Sequence, residues 1–272
     1  MKKLLYFLLL LPQVLFAQER TFNNEKSNQK MVTDTSFKRS VLVVPFETKM
    51  YMSQIDRQIC NRHQISFENM VDMMRKNLAD IVAFKLEDVM DAYSLMQPGK
   101  DSLERELHYT YTSVNYVYRA MPEEKKETAK DSSRLPVKIK IGTKGEKTNT
   151  KPKTENGIQN GQIIAEEDPR EKFMDADIIN PKLLNELSGL YHSTWFVFIN
   201  QLDLLYSPES TDQIRIKVHY SIFNENGTKK YAGAAISKMP SSISDLSTIK
   251  NDYFFAIATE ITDKFRSALK TP

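Results

Sequence analysis

A single cysteine, Cys60, stands in the 272 residues, so no disulfide can close within the chain and the fold rests on its core. Eight glycines leave little material for ligand-cradling turns. No glycine-rich phosphate loop, G-x-S-x-G elbow or H-E-x-x-H helix occurs. Net charge is nearly missing too. Without Lys2 and Lys3, 36 basic residues face 35 acidic ones, which argues against a global attraction to nucleic acid. The one long apolar run, Leu4 to Phe16, is about 13 residues and is broken by Pro12. A bilayer-spanning helix needs roughly 20.

That run follows two lysines and ends at Ala17 and Gln18, the layout of a secretory signal peptide. Residues 1–17 are therefore expected to be removed and the mature chain to be periplasmic or secreted. No cysteine follows the run to take a lipid, and no transmembrane segment remains after cleavage. Residues 18–38 are polar and without periodicity, and read as a flexible N-terminal tail.

The clearest pattern lies between Ser193 and Lys238. Ile214, Ile216, Val218, Tyr220 and Ile222 alternate with Arg215, Lys217, His219 and Ser221, which predicts a half-buried antiparallel strand with one polar face. Trp195 to Leu205 is apolar on both faces as far as Asn200 and suits an inner strand. Asn224 to Gly227 supplies turn residues, and Lys230 to Ser237 returns as the third strand of a meander.

Upstream, Ser40 to Glu47 is a compact β-branched run ended by Pro45 and reads as a buried strand. Met50 to His63 is a loop or short helix. Ser66 caps a long amphipathic helix with Phe67, Met70, Val71, Met74, Leu78, Ile81, Val82, Leu86 and Val89 inward and Asp72, Arg75, Lys76 and Asp80 elsewhere. A further turn or two of helix covers Asp101 to Leu107, and the tyrosine-rich tract His108 to Tyr118 is expected to be extended.

From about Pro122 to Arg170 the apolar residues thin out, predicting a mostly disordered insertion within one domain. Its only strand-like pattern is Val137 to Ile141. Lys125 to Lys153 carries ten basic residues against three acidic ones, which suits weak contact with an anionic surface or a solvated linker. Asn180-Pro181 starts a helix whose inward stripe is Leu183, Leu184, Leu187, Leu190 and Tyr191. Asp252 is placed as the cap of a last helix with Phe254, Ile257, Ala258, Ile261, Phe265 and Leu269 on one face. The fold class is α/β (α+β): a single mixed sheet with a C-terminal antiparallel three-strand meander, helices packed on it, in one domain over residues 39–272.

Chemistry-bearing residues are sparse. Cys60 and His63 have Cys-x-x-His spacing, but a structural zinc needs two more ligands, and His108, His192 and His219 are scattered. Packing accounts for the pair. Glu87, Asp88 and Asp91, and Asp175 and Asp177, have the look of acid–base pairs and equally of exposed helix and loop faces. Asn226-Gly-Thr228 matches a glycosylation acceptor that its hairpin turn explains. The tyrosines of 109 to 118 suit an interface or a strand face. No catalytic, cofactor-binding or metal residue is assigned, no cofactor is implied, and the residues that contact a protein partner stay unassigned.

In order, these elements resemble the periplasmic α/β domains of the curli secretion protein CsgG and the penicillin-binding-protein activator LpoB. Val41 to Glu47, Phe196 to Leu204 and Tyr231 to Ala235 carry the resemblance, across residues 39 to 120 and 173 to 270, and the leader's LFAQ looks like those of Bacteroidetes envelope proteins. It implies no enzyme, but a binding or assembly role in the bacterial envelope with an envelope protein as partner. Those two proteins are lipoproteins, whereas this chain has no lipidation cysteine, and its insertion lacks the alternating strands of a channel hairpin. A cell-wall or peptide hydrolase, and a structural component of a secretion or motility apparatus, are the alternatives.

Overall fold

The computed structural model describes residues 39–96, 103–122, 157–159, 162–164 and 170–270. All belong to the unit Phe37–Pro272. The expected signal peptide, the expected tail and the run at 137–141 lie outside the described residues. No helix of the described residues is long and apolar enough to cross a membrane.

β1 (Ser40–Val44) is followed by a 3-10 turn and by β2 (Tyr51–Ser53), then α1 (Asp56–His63), α2 (Phe67–Leu86), β3 (Asp91–Ser94), α3 (Leu103–Thr112) and β4 (Val114–Ala120). After a two-stranded piece, β5 (Gly157–Gln159) with β6 (Gln162–Ile164), come β7 (Lys172–Ile178) and α4 (Leu183–Tyr191). The meander is β8 (Trp195–Ser207), β9 (Ser210–Asn224) and β10 (Lys229–Pro240). The C-terminal helix is α5 (Leu246–Thr248), a π turn Ile249–Phe254 and α6 (Phe255–Lys270).

The main sheet has the order β10-β9-β8-β1-β3, with β2 also against β8. β8 to β10 are antiparallel, while β1 and β2 run parallel to β8 along successive stretches of it, Val41 beside Trp195 and Tyr51 beside Leu202. The fold is therefore α/β with a mixed sheet, and its two separated halves meet where β1 joins β8. One face carries the main core. There Ile214, Ile216, Val218, Tyr220 and Ile222 meet Met70, Met74 and Leu78 of α2 and Ile257, Ile261 and Phe265 of α6. On the other face, α3, α4 and the start of β4 cover Leu42, Val44, Phe196, Phe198 and Phe223 with Leu107, Val114, Leu183, Leu184 and Leu187.

Several expectations shift. His108 to Thr112 is helical, because Thr110 and Thr112 hydroxyls donate back to the carbonyls of Glu106 and His108 and Leu107 and Thr110 face inward. Only Val114 onward is extended. Phe67, placed in the inward stripe of the long helix, is 53% exposed, while Arg75, placed outside, is buried. Its Nε donates to Phe46 O at 2.8 Å and its guanidinium reaches Tyr111 Oη at 2.9 Å, tying α2 to the end of β1 and to α3. The cap of the last helix lies seven residues before the expected one. Asp245, not Asp252, accepts from Thr248 N at 2.9 Å, and the hydroxyls of Ser247 and Thr248 converge on the same oxygen.

Those donors, Ser247 first, hold the Asp245 carboxyl at about 2, down from 3.8. A carboxylate lowered in the folded state contributes stability above its unfolded value that is lost as pH falls through the folded one. Asp245→Asn keeps a capping oxygen but no charge. The thermal midpoint of the wild type is expected to fall more steeply than that of the variant between about pH 3.8 and pH 2. Parallel curves would remove the helix start from the acid response.

Candidate functional site

β4 and β7 form an antiparallel ladder from Val114–Ile178 to Ala120–Lys172, closed beyond its end by Met121 N donating to Glu171 O at 2.7 Å. The expected insertion thus leaves and returns at the tip of a hairpin. β5 and β6 pair only with each other among the described residues.

A two-stranded hairpin leaves one backbone edge of each strand without a ladder partner, and a buried edge must be satisfied somehow. β7 meets the sheet edge-on, and side chains of β9 take the place of a neighbouring strand. Met174 N donates to His219 Nδ1 at 2.7 Å, Ala176 N donates to Ser221 Oγ at 3.2 Å, and Lys217 Nζ donates to Lys172 O. Alternate residues of β9 thus serve alternate residues of β7 at the common strand spacing of two. Every rung joins residues 45 apart, so the two strands run in the same direction.

β8 contributes through a bulge. The β8–β9 register slips between Ile199 and Gln201, leaving Asn200 as the extra residue. Phe196, Phe198 and Asn200 face the hairpin side before the slip, and Gln201 and Asp203 face it afterwards. Without the bulge Asp203 would enter the apolar core and Leu202 and Leu204 would face the polar seam. Asn200 Nδ2 donates to Met174 O at 2.9 Å and to Ser221 Oγ at 2.8 Å, while its Oδ1 is buried with no hydrogen-bond partner among the described residues.

Charge is concentrated at the ends of this seam. Asp175, 2% exposed, accepts from Ser221 Oγ at 2.9 Å and pairs with Arg119 Nε at 2.7 Å and Lys229 Nζ at 2.8 Å. Asp177 shares both cations, and Lys229 first, then Arg119, lowers its pKa below the carboxylate range. Glu171 pairs with Arg215 and Lys217 at the other end. Between them His219 Nε2 faces Asp203 Oδ2 at 2.9 Å, Gln201 Nε2 donates to the other Asp203 oxygen, and Tyr118 Oη donates to Gln201 Oε1.

The strand alternation singled out Lys217, His219 and Ser221 as a polar face toward solvent. They are buried, because β7 covers them. Asp175 and Asp177, read as a helix or loop face, lie on a strand. They do not meet Glu87, Asp88 or Asp91, which sit around the α2–β3 turn with Asp88 paired to Lys85 at 2.8 Å. His63 Nε2 accepts from Leu246 N at 3.1 Å and lies 3.7 Å from Asp245 Oδ1, so it sits at the start of the C-terminal helix. Cys60 has a thiol pKa raised by burial and by nearby Asp56, the reverse of nucleophile activation. His108 and His192 lie on α3 and just after α4.

An Asp203–His219 pair beside Ser221 has the composition of a hydrolytic triad but the wrong geometry. In such a triad the imidazole nitrogen opposite the aspartate takes the serine proton. Here that nitrogen takes the Met174 N–H, and Ser221 donates to Asp175 instead. An open, largely apolar groove of about 520 Å³ between α2 and α3 is lined by residues that include Ile65, Met73, Met96, Leu103 and Leu107. On its rim Asp72 pairs with Arg75, and Lys76 with Asp80. No protein-family model, no curated protein and no solved structure matches this chain.

Proposed function

We propose that the chain is a non-catalytic, exported protein-binding or assembly module of the bacterial cell envelope, related in kind to the CsgG and LpoB domains and partnered by an envelope protein. The observation that carries the reading is the commitment of His219 Nδ1 to a main-chain N–H, which leaves the Asp203–His219 pair without a free base. The leader-like N-terminus and the strand resemblance supply the envelope setting. The basic tract Lys125 to Lys153, tethered at the hairpin tip, is assigned weak contact with anionic surfaces of the envelope.

Two measurements separate this reading from a wall or peptide hydrolase. The purified mature chain, immobilised and exposed to envelope extract, is expected to retain one defined protein that excess free chain competes away. Incubated with peptidoglycan or with mixed peptides, it is expected to release no fragments. Fragment release that Asp203→Asn abolishes, in a variant that still folds, would make the chain a hydrolase.

A further inference from the structure

The middle rung of the side-chain ladder is titratable. His219 is 1% exposed, on the inner side of the hairpin, and both ring nitrogens are engaged. Because Nδ1 accepts the Met174 N–H, the neutral ring carries its proton on Nε2 and donates it to Asp203. We propose that mild acid loosens the β4–β7 hairpin from the sheet, with protonation of His219 at Nδ1 as the trigger.

The charged ring would present a second N–H to the N–H of Met174. That main-chain bond is lost, and two donors oppose each other in a buried seam. The Asp203 contact survives and is strengthened, since a carboxylate accepts more strongly from an imidazolium. The consequence therefore falls on β7 and leaves the β8–β9 pairing intact.

The surroundings fix the direction. From β8 the ring faces Asp203, which favours the charged form, and its neighbour Gln201. On its own strand Lys217 and Arg215 disfavour it, though Glu171 pairs with both. From β7 come Lys172, whose carbonyl takes the Lys217 ammonium, and Asp175, held by Arg119 of β4 and by Lys229. Burial is the largest influence, and it holds the His219 pKa below 6.5. A hairpin that lifts returns the ring to water and to its ordinary value near 6.5. Between the two values the lifted state binds the extra proton, so opening gains at most about tenfold for each pH unit of acidification, and less near either value.

Amide exchange of the full mature chain, corrected for intrinsic rates, reads this directly. Protection at Met174 and Ala176 is expected to drop by up to about fivefold between pH 6.5 and 5.5, while β9 and α2 amides keep theirs. His219→Asn places an uncharged acceptor near the Nδ1 position, and its hairpin protection is expected to be flat across that interval. Wild-type protection that does not change, or that falls equally in the variant, overturns the proposal. Should His219→Asn fail to fold, the combined variant His63→Gln, His108→Gln, His192→Asn decides. Retained pH dependence leaves His219 as the trigger, and lost dependence removes it.

Discussion

Replacing Asp175 with alanine is expected to destabilise the protein by about 3 kcal/mol, read as a lower urea midpoint with an unchanged slope. The carboxylate is 2% exposed and has three direct partners. Ser221 Oγ and the side chains of Arg119 and Lys229 reach it directly, and Asn200 joins through Ser221. Truncation leaves two cations at the seam with only Asp177 to share and strands the Ser221 proton. The cost falls at the low end of the range for breaking a buried pair, because Arg119 is half exposed and can rehydrate. Asp175→Asn keeps the acceptor for Ser221 and is expected to recover about 1 kcal/mol. A loss below 1 kcal/mol for the alanine variant would mean that the hairpin is not held through this residue.

On the opposite face the largest effect belongs to Phe265→Ala, about 3–5 kcal/mol. The Phe265 ring is fully buried, with its centroid 5.5 Å from that of Trp195 and the planes at 78°, an edge-to-face pair. Trp195 opens β8 beside Val41 of β1, so this contact clamps the C-terminal helix over the junction of the two halves. The core there is close-packed by strand and helix backbones that cannot collapse into the hole. Phe265→Leu fills most of the space and is expected to cost about 1–1.5 kcal/mol. Similar losses for both variants would show that volume at this point is not limiting.

The meander and the long helix were legible because each writes its environment into a short period. Five alternating residues from Ile214 to Ile222 specify a strand face, and Ser66 accepting from Asn69 N marks a helix start that propensity alone leaves vague. β7 was not legible. A strand reading Lys-Phe-Met-Asp-Ala-Asp-Ile has the first of its carboxylates buried, and its backbone is satisfied by side chains far along the chain. No local pattern announces partners at that distance. Arg75 was misplaced for a similar reason, since its aliphatic stem packs inward while its guanidinium meets the Phe46 carbonyl.

The seam itself had a visible half. Lys217, His219 and Ser221 stand at intervals of two on β9, and only the complementary spacing of 172, 174 and 176 turns that polar face into a ladder. The bulge at Asn200 left one trace, the point where the two-sided apolar run of β8 stops. A single extra residue changes which face every later side chain occupies, and no composition rule detects it. Of the ionisable residues weighed from sequence, Asp175, Asp177 and His219 join one seam, and they do so as ties between layers.

A hairpin tied down by side chains of β9 closes the body, and residues 123–169 are expected to lie outside the work of folding. The measurement is the urea midpoint of a chain in which those residues are replaced by a short Asn-Gly turn joining Pro122 to Arg170. Since Met121 and Glu171 already pair across the tip, the excised chain is expected to stay within about 0.5 kcal/mol of the intact one. An excised chain that fails to fold, or that loses several kcal/mol, would contradict it.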